Sequence, residues 1–236
     1  MNWGELVSRV KTSGQHGGQP LIKLDGSEDA KLTAFLWETL ARYTRLTGAL
    51  FEHNLRLSTS TGWLSGANPP VYNLLASIWE PDSVGYQTKV WLPVQVAVGG
   101  RTLRDLRGRP GPISSQELAE LQAYGDPGTT EPDEVAHWCR LPEERIRLFP
   151  GPKTGFPTSV EAWISGYRLF PEVADNAHGV YLQEWEQDEA VEYCVLRLFR
   201  HWDAPGPRAE HEALLKAMEE RFAAQFAEKE AQRLGL

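Results

Sequence analysis

The chain has 236 residues, with 32 acidic against 24 basic side chains and a formal net charge of −8. Such a length can bury a core without a disulfide or metal staple. The acidity argues against a nucleic-acid binder that works by neutralising phosphates, which needs clustered Lys and Arg. Hydrophobic residues make up 41% and charged residues 24%, and no run of about 18 apolar residues could span a bilayer, so a soluble protein without a membrane partner is expected.

Met1-Asn-Trp-Gly-Glu lacks the basic flank and apolar core of a secretory signal, so synthesis and retention in the cytoplasm are expected. Trp3, Leu6, Val7 and Val10 form a short amphipathic stretch before the glycine-rich Thr12-Ser-Gly-Gln-His-Gly-Gly-Gln-Pro20. Residues 1–26 therefore read as a flexible arm, a helix or extended stretch followed by a linker, that orders against a partner. From Ser27, an N-cap candidate, Leu32, Phe35, Leu36, Leu40 and Tyr43 recur at helical spacing until Gly48, which predicts a helix over 28–47.

Residues 49–175 carry most of the prolines and short apolar runs between turn residues, and read as a β-rich insertion. Strands are expected at 50–58, 71–75, 89–98, 135–141, 145–149 and 159–167. Gly99-Gly100 signals a hairpin or bulge, with Arg101-Thr-Leu103 as the return. Ser114-Ser-Gln-Glu117 has capping-box spacing and predicts a helix over 115–124. The last quarter is helical again. Leu182, Trp185, Val191, Val195, Leu198 and Phe199 mark one helix, Leu214, Leu215, Met218, Phe222 and Phe226 the next, and Asp203-Ala-Pro-Gly-Pro207 the turn between. The fold class is α+β: a helical bundle, 27–48 and 176–236, with one N-terminal helix and a long C-terminal hairpin around the β-rich insertion.

There is no Walker-type loop, G-x-S-x-G elbow, H-E-x-x-H or EF-hand loop, so no catalytic, cofactor or metal residues are assigned and a non-enzyme is expected. Cys139 and Cys194 are far apart and belong to no C-x-x-C pair; isolated buried thiols are expected. His137 and Cys139 fall on one side of a strand, and His201 and His211 flank the final turn. Strand packing and ordinary polar helix ends account for both pairs better than a metal. Glu184, Glu186, Asp188, Glu189 and Glu192 give the penultimate helix a dense acidic side, either solvated or bordering a channel that carries a polyanion. Arg101, Arg104, Arg107 and Arg109 form the basic run, a solvated loop or an interface with an acidic neighbour. Nine tryptophans, Trp63, Trp79 and Trp91 among them, suit core packing, a protein interface or a sugar-binding face.

Taken as an ordered series, the elements resemble the head-to-tail connector, or adaptor, proteins of tailed bacteriophages. The series runs from the helix over 28–47 through Pro70-Val-Tyr72-Asn-Leu74, Lys89-Val-Trp-Leu-Pro-Val94 and Gly99-Gly-Arg-Thr-Leu103 to the capped helix at Ser114-Ser-Gln-Glu-Leu118. It continues with Arg145-Ile-Arg-Leu-Phe-Pro-Gly-Pro152, a strand to Tyr167 and the helix from about Tyr181. It covers 27–226 and rests on element order; Asn68 to Gly85 departs from the plan as a candidate insertion. The resemblance implies a virion protein made in the host cytoplasm: a ring of about 12 copies between portal protein and tail or neck proteins, enclosing DNA without sequence-specific contacts and carrying no catalytic residues. Glu184, Asp188, Glu189 and Glu192 would then face the channel. Arg101, Arg104, Arg107, Trp185, Phe222 and Phe226 would serve as interface. The rivals are a carbohydrate-binding module or enzyme on the tryptophan-rich β region, and a DNA-binding regulatory protein using the arginine loop.

Overall fold

The computed structural model describes residues 1–16, 19–20, 28–56, 71–73, 90–125, 128–142, 145–157, 159–170, 179–180, 182–201 and 208–234. The fold is α+β. It divides into two compact units, Met1–Leu50 with Phe170–Leu236, and Phe51–Leu169.

The first unit is helical, and its first helix, one of the two forms expected for the opening segment, packs on its own unit and corrects the expectation that this segment is flexible until it meets a partner. Helix α1 (Trp3–Ser13) opens on a capping box: Asn2 Oδ1 accepts from the Glu5 N–H and Glu5 Oε2 accepts from the Asn2 N–H, each at 2.8 Å. Trp3, Leu6 and Val10, spaced to share one face, are at most 1% exposed and join the core of this unit. The Val180 N–H donates to Met1 O at 3.0 Å, so the chain start is held from its first residue. A two-residue ribbon, β1 (Gln15–His16) with β2 (Gln19–Pro20), follows.

Helix α2 (Asp29–Thr47) buries Leu32, Phe35, Leu36, Leu40 and Tyr43, the stripe read from the sequence. Glu28 takes the N-cap without a side-chain bond, and Ser27 lies outside the described residues. Gly48 ends the helix at φ 59°, a left-handed conformation that glycine adopts without a Cβ clash. The buried Thr44 hydroxyl accepts from the Phe170 N–H at 3.2 Å, fastening the chain where it re-enters the unit.

The C-terminal pair is α4 (Glu184–His201) and α5 (Arg208–Leu234); the turn at 203–207 and Tyr181 lie outside the described residues. Helix α4 starts later than expected. Glu186 turns its carboxylate back to accept from the Gln183 N–H at 2.9 Å, satisfying one amide at the helix start. Tyr43, Tyr193 and Phe222 meet at the centre of the three helices, with ring centroids 5.3–6.0 Å apart.

The second unit holds the remaining strands. Strands β3 (Phe51–Arg56), β5 (Val90–Val98), β6 (Arg101–Thr102) and β9 (Ala162–Arg168) form one antiparallel sheet in the order β3-β9-β5-β6. Strands β4 (Val71–Asn73), β7 (His137–Leu141) and β8 (Arg145–Phe149) form a second in the order β4-β8-β7. Gly99 and Gly100, at φ 59° and 79°, form the expected tight turn between β5 and β6. Val96, Val98 and Ile164 from one sheet and Trp138, Ile146 and Leu148 from the other share a core. Helix α3 (Ser115–Ala123) carries the predicted box, Ser114 Oγ accepting from the Glu117 N–H at 3.1 Å and Glu117 Oε2 from the Ser114 N–H at 2.7 Å. It packs Leu118 with Ile113, Cys139 and Phe149. Strand β7 begins at His137, not Val135, because 132–134 form a 3-10 turn that ends in the Val135 N–H donating to Pro132 O.

Candidate assembly surface

Residues four apart on a helix share a face. On α4 that places Glu184, Asp188 and Glu192 in one exposed row. Asp188 bonds Arg9 of α1 at 2.7 Å, yet its side chain stays 76% exposed. Glu189 departs from the expected acidic face. It is half-buried on the other side, where Oε1 accepts from Arg221 at 2.6 Å and Oε2 from the Tyr43 hydroxyl at 3.3 Å. Glu186, also expected on the acidic face, departs from it too and is buried; desolvation raises its pKa against the opposing pull of the Gln183 amide.

Behind that row lies a polar network that the sequence reading missed. Arg42 donates from Nε and Nη2 to the two oxygens of Glu219 at 3.0 and 2.9 Å, and the Tyr193 hydroxyl donates to the same carboxylate at 2.7 Å. Burial opposes ionisation of Glu219, but the bonds from Arg42 and Tyr193 win and lower its pKa. Tyr193 is pushed up to about 12, first by burial and then by its bond to Glu219, and burial beside Glu189 raises Tyr43 further. Arg42 and Glu219 are 177 positions apart, beyond any local pattern.

The expected interface residues separate. Trp185, predicted in the apolar stripe and as interface, is 62% exposed, with Lys229 Nζ 5.8 Å from its ring centroid. Phe222 is fully buried among Tyr43 and Tyr193, so it offers no surface to a partner and leaves the interface set. Phe226 is half-buried, and Leu214, expected inside, is 51% exposed.

In the second unit the arginine run forms a tight loop around Asp105. Its Oδ1 accepts from the Arg107 and Arg109 amides at 2.9 and 2.8 Å, and Oδ2 from Arg109 Nε at 3.1 Å. Slight desolvation works against ionisation, but those donors outweigh it and hold Asp105 below its ordinary pKa. Arg104 reaches Gly108 O at 2.5 Å, and Arg101 bonds Asp133 O. Arg101, Arg104, Arg107 and Arg109 are all exposed, and Leu106 at the tip, not singled out in the sequence, is 47% exposed.

The remaining candidates take structural positions. His137 Nδ1 lies 2.6 Å from Arg104 O; His201 packs on Phe35, and His211 stacks on Phe199 with centroids 4.5 Å apart. Cys139 and Cys194 are free and buried, and burial pushes Cys194 up to about 12. Trp63 and Trp79 lie outside the described residues, while Trp91 is half-buried near Tyr167. A cleft of about 330 Å³ lies over the first sheet beside Trp163, which the sequence reading had not chosen. Among the described residues no three His, Cys, Asp or Glu side chains gather as a metal site, and no helix is long and apolar enough to cross a membrane. No protein-family model matches this chain, and none of the curated proteins matches it in sequence.

Proposed function

We propose that this protein is a structural subunit of a phage virion, a ring-forming head-to-tail adaptor that joins the portal protein to the tail or neck proteins and extends the DNA channel. The exposed carboxylate row of α4 is the observation that carries this reading, on top of the element order. A lumen needs a wall that DNA passes without adhering, and carboxylates repel phosphate instead of releasing counterions to hold it. Glu184 supplies that wall together with Asp188, whose charge is partly offset by Arg9, and Glu192 lies at its flank. The role calls for surfaces and no chemistry: the protein acts as a non-enzyme without a cofactor, in the virion after synthesis in host cytoplasm.

The test is electron microscopy of the chain mixed with the portal protein encoded by the same genome. A ring stacked coaxially on the portal is expected. A portal that stays bare at micromolar concentrations of the chain would contradict the reading.

A further inference from the structure

We infer that the Asp105–Arg109 loop is a docking tip that seats on α4 of a second copy, Leu106 against Trp185 and Arg107 beside Glu192; this rests on the ring reading above. The tip is prebuilt. Three donors converge on Asp105, the Asp105 N–H donates to Arg109 O at 2.8 Å and the Gly108 N–H to Asp105 O at 3.0 Å, so little conformational freedom is lost on binding. That frame leaves an apolar side chain and a cation exposed: Leu106 is 47% exposed, and Arg107 makes a backbone bond while its guanidinium makes no hydrogen bond or contact ion pair among the described residues and acts only at longer range on Glu117.

Helix α4 offers the matching chemistry. Trp185 and Glu192, seven positions apart, lie two turns from each other on one side of the helix. Trp185 is 62% exposed; Lys229 takes one part of its ring, and the rest is open to an aliphatic side chain. Glu192 is exposed and has no ion pair among the described residues. Neither patch suits a copy of itself, since cationic tip against cationic tip and acidic row against acidic row both repel. Each suits the other. Two different complementary patches on one chain make a heterologous contact, the kind that closes a ring when its rotation divides the circle. The contact also falls beside Glu184 and Asp188, where a channel-lining helix has to meet its neighbour.

The test follows the assembly state of the full chain by mass photometry and sedimentation velocity, with and without the portal protein, for Arg107→Glu, Glu192→Arg and the double variant. Each single change should raise the concentration of half-assembly by about tenfold or more, and the double variant should return it to within about threefold of the parent. Mixing the two single variants should restore assembly too, because subunits that alternate around the ring then bring opposite charges together at every contact. Leu106→Ser probes the apolar half without altering charge and should weaken assembly in the same direction. Rings that form equally well in every single variant, or a double variant no better than the singles, would overturn this interface and leave the adaptor reading standing. A chain that stays monomeric even with portal protein would overturn both.

Discussion

At Gly166 the absence of a side chain is a packing requirement. A Cβ there would lie 2.6 Å from Leu92 O and 2.9 Å from Pro93 Cα, both backbone atoms of the bulged strand β5, and Gly166 also pairs with Glu52 on the other side. Gly166→Ala should therefore cost about 1–3 kcal/mol, read as a lowered urea midpoint, because the strands must part to admit one methyl. The thiols give a second residue-scale prediction. Cys139 and Cys194 are 1% and 0% exposed and burial raises both pKa values, so native protein at pH 8 should react with a thiol reagent only as fast as it opens. Two thiols titrating within seconds would refute that burial. Neither residue's surroundings could be read from its neighbours in sequence, since Gly166 is shaped by β5 and Cys194 by helices from both ends of the chain.

At the scale of elements, local codes were legible and distant pairings were not. The capping box at Ser114 and Glu117, the stop at Gly48 and the strand over 145–149 all stand where spacing and turn residues put them. The spacing of Trp3, Leu6 and Val10 left a helix open for α1, but the glycines that follow hid that it packs on its own core, and Asn2 and Glu5 carry the same capping spacing. Trp3→Ala should cost about 3–5 kcal/mol, as expected of a large side chain removed from a packed core and not of a loose arm. The helix-joining network makes a pH prediction. The folded-state pKa of Glu219 lies below its ordinary 4.5, so its stabilisation is present above that value and is lost as pH falls through the lowered one. With Arg42 half-exposed the ion pair contributes little, and Glu219→Gln should cost about 1 kcal/mol at pH 7, through the carboxylate charge that strengthens the bonds from Tyr193 and Arg42. That difference should close toward pH 3, and a difference constant from pH 7 to 3 would show that the carboxylate charge is not its source.

At the scale of the whole molecule, the charge of −8 and the carboxylate row on α4 point the same way. Three carboxylates of that row were legible, since four-residue spacing on a helix fixes a common face, whereas Glu186 and Glu189, expected beside them, turn into the packing. Which apolar side chains turn inward was not: Phe222 and Leu214 lie on one amphipathic helix, and only packing shows that the first is core and the second surface. The central claim is that this face borders DNA in an assembled ring. A cryo-EM reconstruction of the chain mixed with the portal protein proposed as its partner measures this most directly. A closed ring with Glu184 and Asp188 of every copy on the lumen wall is expected; a ring with those carboxylates on its outer surface, or no ring, would contradict the proposal.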